Sequence, residues 1–336
     1  MKKVVVIGAG VNGLSCAVKI AEHFYKKNVQ VTLVSEEFSP NTTGDVSAGL
    51  WGPYLIGDSP EQKIVEWSKS SHDLFHELWL NGMAEEAGIT MIPVYRLTSE
   101  AAGSQIPCWK NVVFGFRSLT VEELSKLSVE HGKNYTGGNH FISFCCEPTK
   151  FLPYLMKRFF AAGGRVERRK VSSLDELDGA DLIVNCTGLG SKELTNDSKF
   201  KAIRGQISRV TASWIYEVVV HDNYEGNYII PNTNDVILGG TSQVDDFNLK
   251  VSKADSEFIS NGCKKIFPGL KNAAVIKEMV GLRPGRQSVR LESEILDGKP
   301  TVVHNVGHGG CGVTLCWGCA DDVLVEVIKA LNKSKL

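Results

Sequence analysis

No stretch of this chain reaches the roughly 18–20 consecutive apolar residues of a membrane-spanning helix, although 43% of its 336 residues are hydrophobic. Neither sign of charge is in excess: 37 Lys and Arg stand against 38 Asp and Glu, a net charge of −1. The longest run of one sign is Arg168-Arg169-Lys170. These absences argue against a spanning helix and against a basic surface for nucleic acid or anionic lipid. The zones of a secretory signal peptide are also missing, because Lys3–Ile7 already reads as a strand. A soluble, globular, intracellular protein is expected.

A disulfide framework is lacking too. The nine cysteines are an odd number without recurring spacing, which suits buried free thiols in a reducing compartment. Cys311, Cys316 and Cys319 match part of a plant-type iron–sulfur run, but no fourth cysteine follows Cys319. They read better as small apolar residues where a glycine turn enters a helix. His304 and His308 flank glycines and share no helical face with carboxylates, so no metal site is expected.

What is present alternates between strand and helix at first. A strand at Lys3–Ile7 leads to a helix over about Gly13–Tyr25 and a second strand at Gln30–Ser35. A helix over about Lys150–Ala162 ends at Gly163-Gly164, before strands at Arg165–Val171 and Asp181–Cys186. From Arg204 onward short strand-like runs are separated by turn residues, the texture of an antiparallel sheet. The predicted architecture is α/β: a Rossmann-like dinucleotide-binding domain over 1–50, 140–200 and 284–336, with an interleaved, mainly antiparallel β-sheet substrate domain over 51–139 and 201–283.

Gly8-Ala9-Gly10-Val-Asn-Gly13 is a G-x-G-x-x-G turn between the first strand and an apolar helix. Its glycines permit a tight turn, a close approach to a pyrophosphate and helix–strand packing. Glu36 ends the second strand, where a carboxylate accepts from ribose hydroxyls and disfavours a 2′-phosphate. A motif at the N-terminal end of the chain suits FAD or NAD alike. A second glycine turn, Gly307-His-Gly-Gly-Cys-Gly312, precedes the final helix and favours FAD, since an extended cofactor would be held by both ends of the chain. An NAD-dependent dehydrogenase has no need of that second turn.

Several further stretches, in order, resemble the D-amino-acid oxidase and D-aspartate oxidase family. They include Thr42-Thr43 through Asp45-Val46 to Ala48-Gly49-Leu50-Trp51, Val113-Phe-Gly-Phe-Arg117 and Val184-Asn-Cys-Thr-Gly188. Arg204-Gly-Gln206, Tyr228-Ile-Ile-Pro231, Leu238-Gly-Gly-Thr241, Gly281-Leu-Arg-Pro284 and Val306–Thr314 continue the set. The resemblance covers nearly the whole chain. It implies FAD-dependent oxidation of D-amino acids to imino acids, which hydrolyse to 2-oxo acids and ammonia, while oxygen is reduced to hydrogen peroxide. It implies that Arg283 clamps the substrate carboxylate, that Tyr228 adds a phenol hydrogen bond, that Tyr224 sits on a lid and that Gly310 presents a carbonyl to the amino group. Cofactor contacts implied are Gly8, Ala9, Gly10, Gly13, Glu36, Glu37, Thr42, Thr43, Ala48, Gly49, Leu50 and Val171, with Gly309, Gly310, Gly312, Val313 and Thr314 near the end.

The side chain that such a site accepts depends on a second cation, because an unpaired buried carboxylate costs several kcal/mol. The D-aspartate branch carries arginine after Gly-Gly-Thr, where this chain has Ser242, and the segment 215–228 holds no Lys or Arg. His221 is the one residue there that could supply a conditional charge. A neutral D-amino acid is therefore the expected substrate, with an acidic one as the alternative; Thr187-Gly-Leu-Gly-Ser-Lys192 and Val280–Arg283 resemble the D-aspartate branch. A non-catalytic FAD-binding protein is the other class, opposed by Arg283 and the two tyrosines. The C-terminal Ser334-Lys335-Leu336 matches a peroxisomal address, which implies an import receptor as partner.

Overall fold

In the computed structural model, which describes residues 1–222, 226–295 and 299–333, the strands form two sheets. The first has six strands, in the order Arg290–Glu294, Thr301–Val306, Leu182–Asn185, Lys2–Ile7, Val29–Ser35 and Arg165–Arg168. Every neighbouring pair is parallel except the first. Its central strands are continuous apolar runs because both faces are covered. Helix Val11–His23 packs on helix Gly312–Lys333, and that helix packs on Glu61–Leu80.

The second sheet has nine strands. Its order is Gln243–Val244, Lys201–Val210, Val236–Gly239, Tyr228–Pro231, Val218–His221, Ile89–Thr98, Gly137–Cys146 and Phe114–Ser118; Val275–Gly285 pairs along Lys201–Val210. Among the described residues, Ile89–Thr98 with Val218–His221 is the one parallel pair of this sheet. The expected α/β class with an interleaved antiparallel sheet is the observed one. One buried cluster joins the layers, from Val4 and Val6 through Trp51 and Phe151 to Phe141 and Ile230. Each such fully buried large side chain contributes about 1.5–3 kcal/mol.

Three details differ from the sequence expectation. Helix Glu61–Leu80 falls within 51–139 yet packs with the first layer: Trp67 Nε1 donates to Asp322 at 2.8 Å, and Lys63 pairs with the same carboxylate at 2.9 Å. Gly318 makes this possible, since a Cβ there would lie 2.3 Å from Trp67 Cα. Strands Gly137–Cys146 and Val275–Gly285 run across the boundaries at 140 and 284. The strand after Gly164 stops at Arg168 rather than Val171, because Glu176 accepts the N–H groups of Ser172 and Ser173, both at 2.9 Å, and turns the chain. Cys311 and Cys319 pack with Trp67 and Leu315, and burial raises the thiol pKa values of all three cysteines of the run.

Candidate active site

One cavity, of about 820 Å³, is walled by both sheets. At one end lies the first glycine turn. Gly8 has φ +99°, and a Cβ there would be 2.5 Å from the Cys186 carbonyl oxygen. Gly13 is inside the helix, which begins at Val11, and its Cβ would fall 1.7 Å from the Gly8 carbonyl oxygen. It packs the helix on the strand and does not line the cavity. Gly10 is different: a Cβ there meets nothing within 4 Å, so open space lies against its backbone. Such a cradle fits an approaching pyrophosphate.

The segment after the second strand is shaped by a residue of no evident chemistry in sequence. Asp45 is fully buried and accepts from Thr42 N–H at 2.9 Å, Thr42 Oγ1 at 2.7 Å and Ser39 Oγ at 2.6 Å. This caps the short helix Thr43–Val46 and lays Thr42, Thr43, Ala48, Gly49 and Leu50 along the wall. Gly49 is required, with φ +78° and a Cβ that would be 2.1 Å from the Cys146 carbonyl oxygen.

The other end carries the charged groups. Arg283 lies flat on Gly205, where a Cβ would be 2.4 Å from both Nη1 and Nη2, and its Nη1 donates to the Thr241 carbonyl at 3.0 Å. Tyr228 packs on Gly239 and Gly240 beside this guanidinium; burial raises its phenol pKa while the Arg283 charge opposes the rise. Gly309 donates its N–H to the Pro284 carbonyl at 3.0 Å, so the second glycine turn is fastened to the residue after Arg283. Gly309, Gly310, Gly312 and Val313 line the cavity beside it. Neighbouring Arg204 is structural: its guanidinium is buried and bonds Asp255 at 2.7 Å, with the carbonyls of Asn248 and Lys250.

The structure also adds a cation absent from the sequence reading. Arg96, on Ile89–Thr98, lines the same cavity and pairs with Asp222 at 2.7 Å. His221 does not supply the conditional charge. Its ring bonds Tyr135 Oη at 2.5 Å on the opposite face of the sheet, and burial, with Lys133 and His131, pushes its pKa down to about 4.

His72 and His308 are likewise pushed down to about 4 by burial. All three imidazoles are neutral in the fold, whereas the unfolded chain takes up their protons near pH 6.5. Stability is thus complete above about pH 6.5 and falls as pH drops toward 4, with a limiting slope of about 4 kcal/mol per pH unit for three protons. Denaturant unfolding followed by tryptophan fluorescence from pH 7.5 to 5 should show this decline. A flat profile would show that the imidazoles are not held neutral.

Of the remaining expected residues, Ala9 and Glu37 line the cavity, and Ala9 N–H donates to Ser35 Oγ at 3.2 Å. Glu36 lies outside the lining, its exposed carboxylate 3.8 Å from Lys170. Val171 packs with Ile7, Leu177, Ile183 and Val302, also outside it. Thr314 braces the wall, accepting from Gly52 N–H at 3.1 Å. Tyr224 and Ser334–Leu336 lie outside the described residues.

Comparison with known proteins agrees with this geometry. The chain is 37% identical to a D-aspartate oxidase of Homo sapiens, across 95% of this chain and 92% of that protein. It is equally 37% identical to a D-amino acid oxidase of Dugesia ryukyuensis, across 99% of both. Its fold matches a crystal structure of glycine oxidase from Geobacillus kaustophilus with a TM-score of 0.79 at 17% identity, covering 97% and 95% of the two chains. Residues 3–324 match the family model described as DAO, FAD dependent oxidoreductase. With a bare-backbone cradle at one end of its cavity and an arginine–tyrosine pair at the other, this chain belongs to that family of FAD-dependent oxidoreductases.

Proposed function

We propose that this enzyme oxidises D-amino acids, neutral ones in preference, to imino acids that hydrolyse to 2-oxo acids and ammonia, with oxygen reduced to hydrogen peroxide. The observation that carries this reading is the Arg283–Tyr228 pair fastened beside the second glycine turn. A planar guanidinium takes a carboxylate in two parallel bonds, and the Tyr228 hydroxyl adds a third donor. Gly310 is the candidate acceptor for the amino group. Two fixed anchors orient the substrate so that its α-hydrogen faces one way, and orientation is the larger part of what the protein contributes. FAD supplies the electron-pair acceptor when bound; the Gly10 cradle, the wall at 42–50 and the Gly309–Val313 turn would hold it.

A preference for neutral side chains is supported by Asp222, which neutralises the Arg96 cation, and by the uncharged His221. Arg96 itself favours the alternative of an acidic D-amino acid, which the equal likeness to a D-aspartate oxidase keeps in view. A panel of D- and L-amino acids with a peroxide readout decides this. Neutral D-amino acids should exceed D-aspartate in kcat/KM at pH 7.5, and L-enantiomers should be inert. A D-aspartate preference would assign the acidic branch. We also propose that Ser334-Lys335-Leu336 directs peroxisomal import; an N-terminally tagged chain should become cytosolic when these three residues are removed.

A further inference from the structure

Three adjacent strands carry Tyr228, Val220 and Arg96 in one cross-strand row, Tyr228 opposite Val220 and Val220 opposite Arg96. Residues in such a row leave the same face, and each strand adds about 4.8 Å. Arg96 therefore stands about 10 Å from Tyr228 along the row, on the cavity side. Leu97, Val219 and Ile229, in the opposite phase, lie in the other core cluster with Tyr135. If Arg283 and Tyr228 hold the α-carboxylate, the side chain of the substrate extends along this row toward Arg96.

Arg96 is held for contact. Its guanidinium lies 5.5 Å over Trp109; Nε donates to Oδ2 of Asp222 at 2.8 Å, and Nη2 faces the same oxygen at an ion-pair distance of 2.7 Å. Asp222 is fixed in turn by its own backbone, its N–H donating to Leu97 C=O at 2.8 Å and its C=O accepting from Thr98 Oγ1 at 3.2 Å. A quarter of the Arg96 side chain and a third of the Asp222 side chain remain exposed. Both nitrogens face one oxygen, and Nη1 of Arg96 and Oδ1 of Asp222 have no other partner among the described residues.

We propose that the Arg96–Asp222 pair is the subsite that reads the far end of the substrate side chain, and that it selects an uncharged carboxamide over a carboxylate. This deepens the D-amino-acid oxidase reading and rests on it. A carboxamide matches the pair group for group: its carbonyl accepts from Nη1 and its NH₂ donates to Oδ1. A carboxylate of the same shape meets a cation already neutralised, with Asp222 and Glu100 adding like charge on the same wall. An ammonium group meets Arg96 instead.

The test uses flavin-loaded enzyme and the isosteric pairs D-Gln/D-Glu and D-Asn/D-Asp, with D-Ala as reference. The wild type should favour at least one carboxamide over its acid by roughly tenfold or more in kcat/KM, mostly through KM, as expected for a hydrogen bond to a charged group. Asp222→Asn, which keeps the backbone bonds and frees the cation, should move that ratio toward the acid by tenfold or more. Arg96→Met should lower the ratio of carboxamide to D-Ala by a similar factor. Either variant shifting its ratio supports the subsite, so a failure of one to fold leaves the other decisive. Ratios unmoved in a folded variant that still turns over D-Ala would overturn the subsite alone. No turnover of any D-amino acid by the wild type would overturn the underlying activity instead.

Discussion

Arg283→Ala should lower kcat/KM for a good D-amino acid by roughly 30-fold to several thousandfold, with flavin still bound. Truncating one partner of a hydrogen-bonded charge pair costs roughly 2–5 kcal/mol, and about 1.4 kcal/mol corresponds to a factor of ten. The flavin survives because the guanidinium bonds the Thr241 carbonyl, lies on Gly205 and neighbours Tyr228, all at the substrate end. Arg283→Lys should recover only part of the loss, since an ammonium has charge without the fork. Gly205→Ala tests the same clamp without replacing Arg283 itself. A methyl 2.4 Å from Nη1 and Nη2 lifts the guanidinium off its platform, so KM should rise while the cation remains. Steady-state kinetics with a flavin absorbance check measures each effect. Near-wild-type kinetics for Arg283→Ala would remove Arg283 from the carboxylate site.

How much of this site the sequence revealed depended on the distance over which each signal acts. The Gly8–Gly13 turn is local: strand, glycines and helix lie within a few residues, and backbone sterics impose that spacing. The Arg283–Tyr228 pair spans 55 positions and was legible only through resemblance to a family. Arg96 was invisible for two reasons. Its strand contains Pro93, which reads against a central strand; in the fold, pairing with Val218–His221 begins only at Val94, so the missing N–H is not needed there. Its counter-ion Asp222 lies 126 residues away. His221 was misread because one-residue phase decides which face of a sheet a side chain takes, and that phase was set by pairing with Arg96 and Leu97. Glu36 and Glu37 show the same limit: only the fold shows which of two adjacent glutamates lines the cavity.

Gly10→Val should abolish flavin retention while leaving the protein folded. Gly10 has φ −72° and ψ 180°, extended backbone that valine adopts readily, and its Cβ would enter open space. The cost to the apoprotein is confined to a poorer cap for helix Val11–His23, about 1 kcal/mol. The cost to the cofactor is much larger, because the side chain fills the space in which the backbone approaches a pyrophosphate. FAD affinity should fall by roughly a hundredfold or more, equivalent to about 2.7 kcal/mol. Gly13→Val makes the opposite contrast. Its Cβ would stand 1.7 Å from the Gly8 carbonyl oxygen, so helix and strand must separate and the fold itself should fail. Flavin absorbance after gel filtration, together with thermal unfolding of the apoproteins, separates the two. A yellow Gly10→Val protein with wild-type flavin content would mean that the pyrophosphate does not pass over Gly10, and the cofactor would have to be laid differently across the cavity.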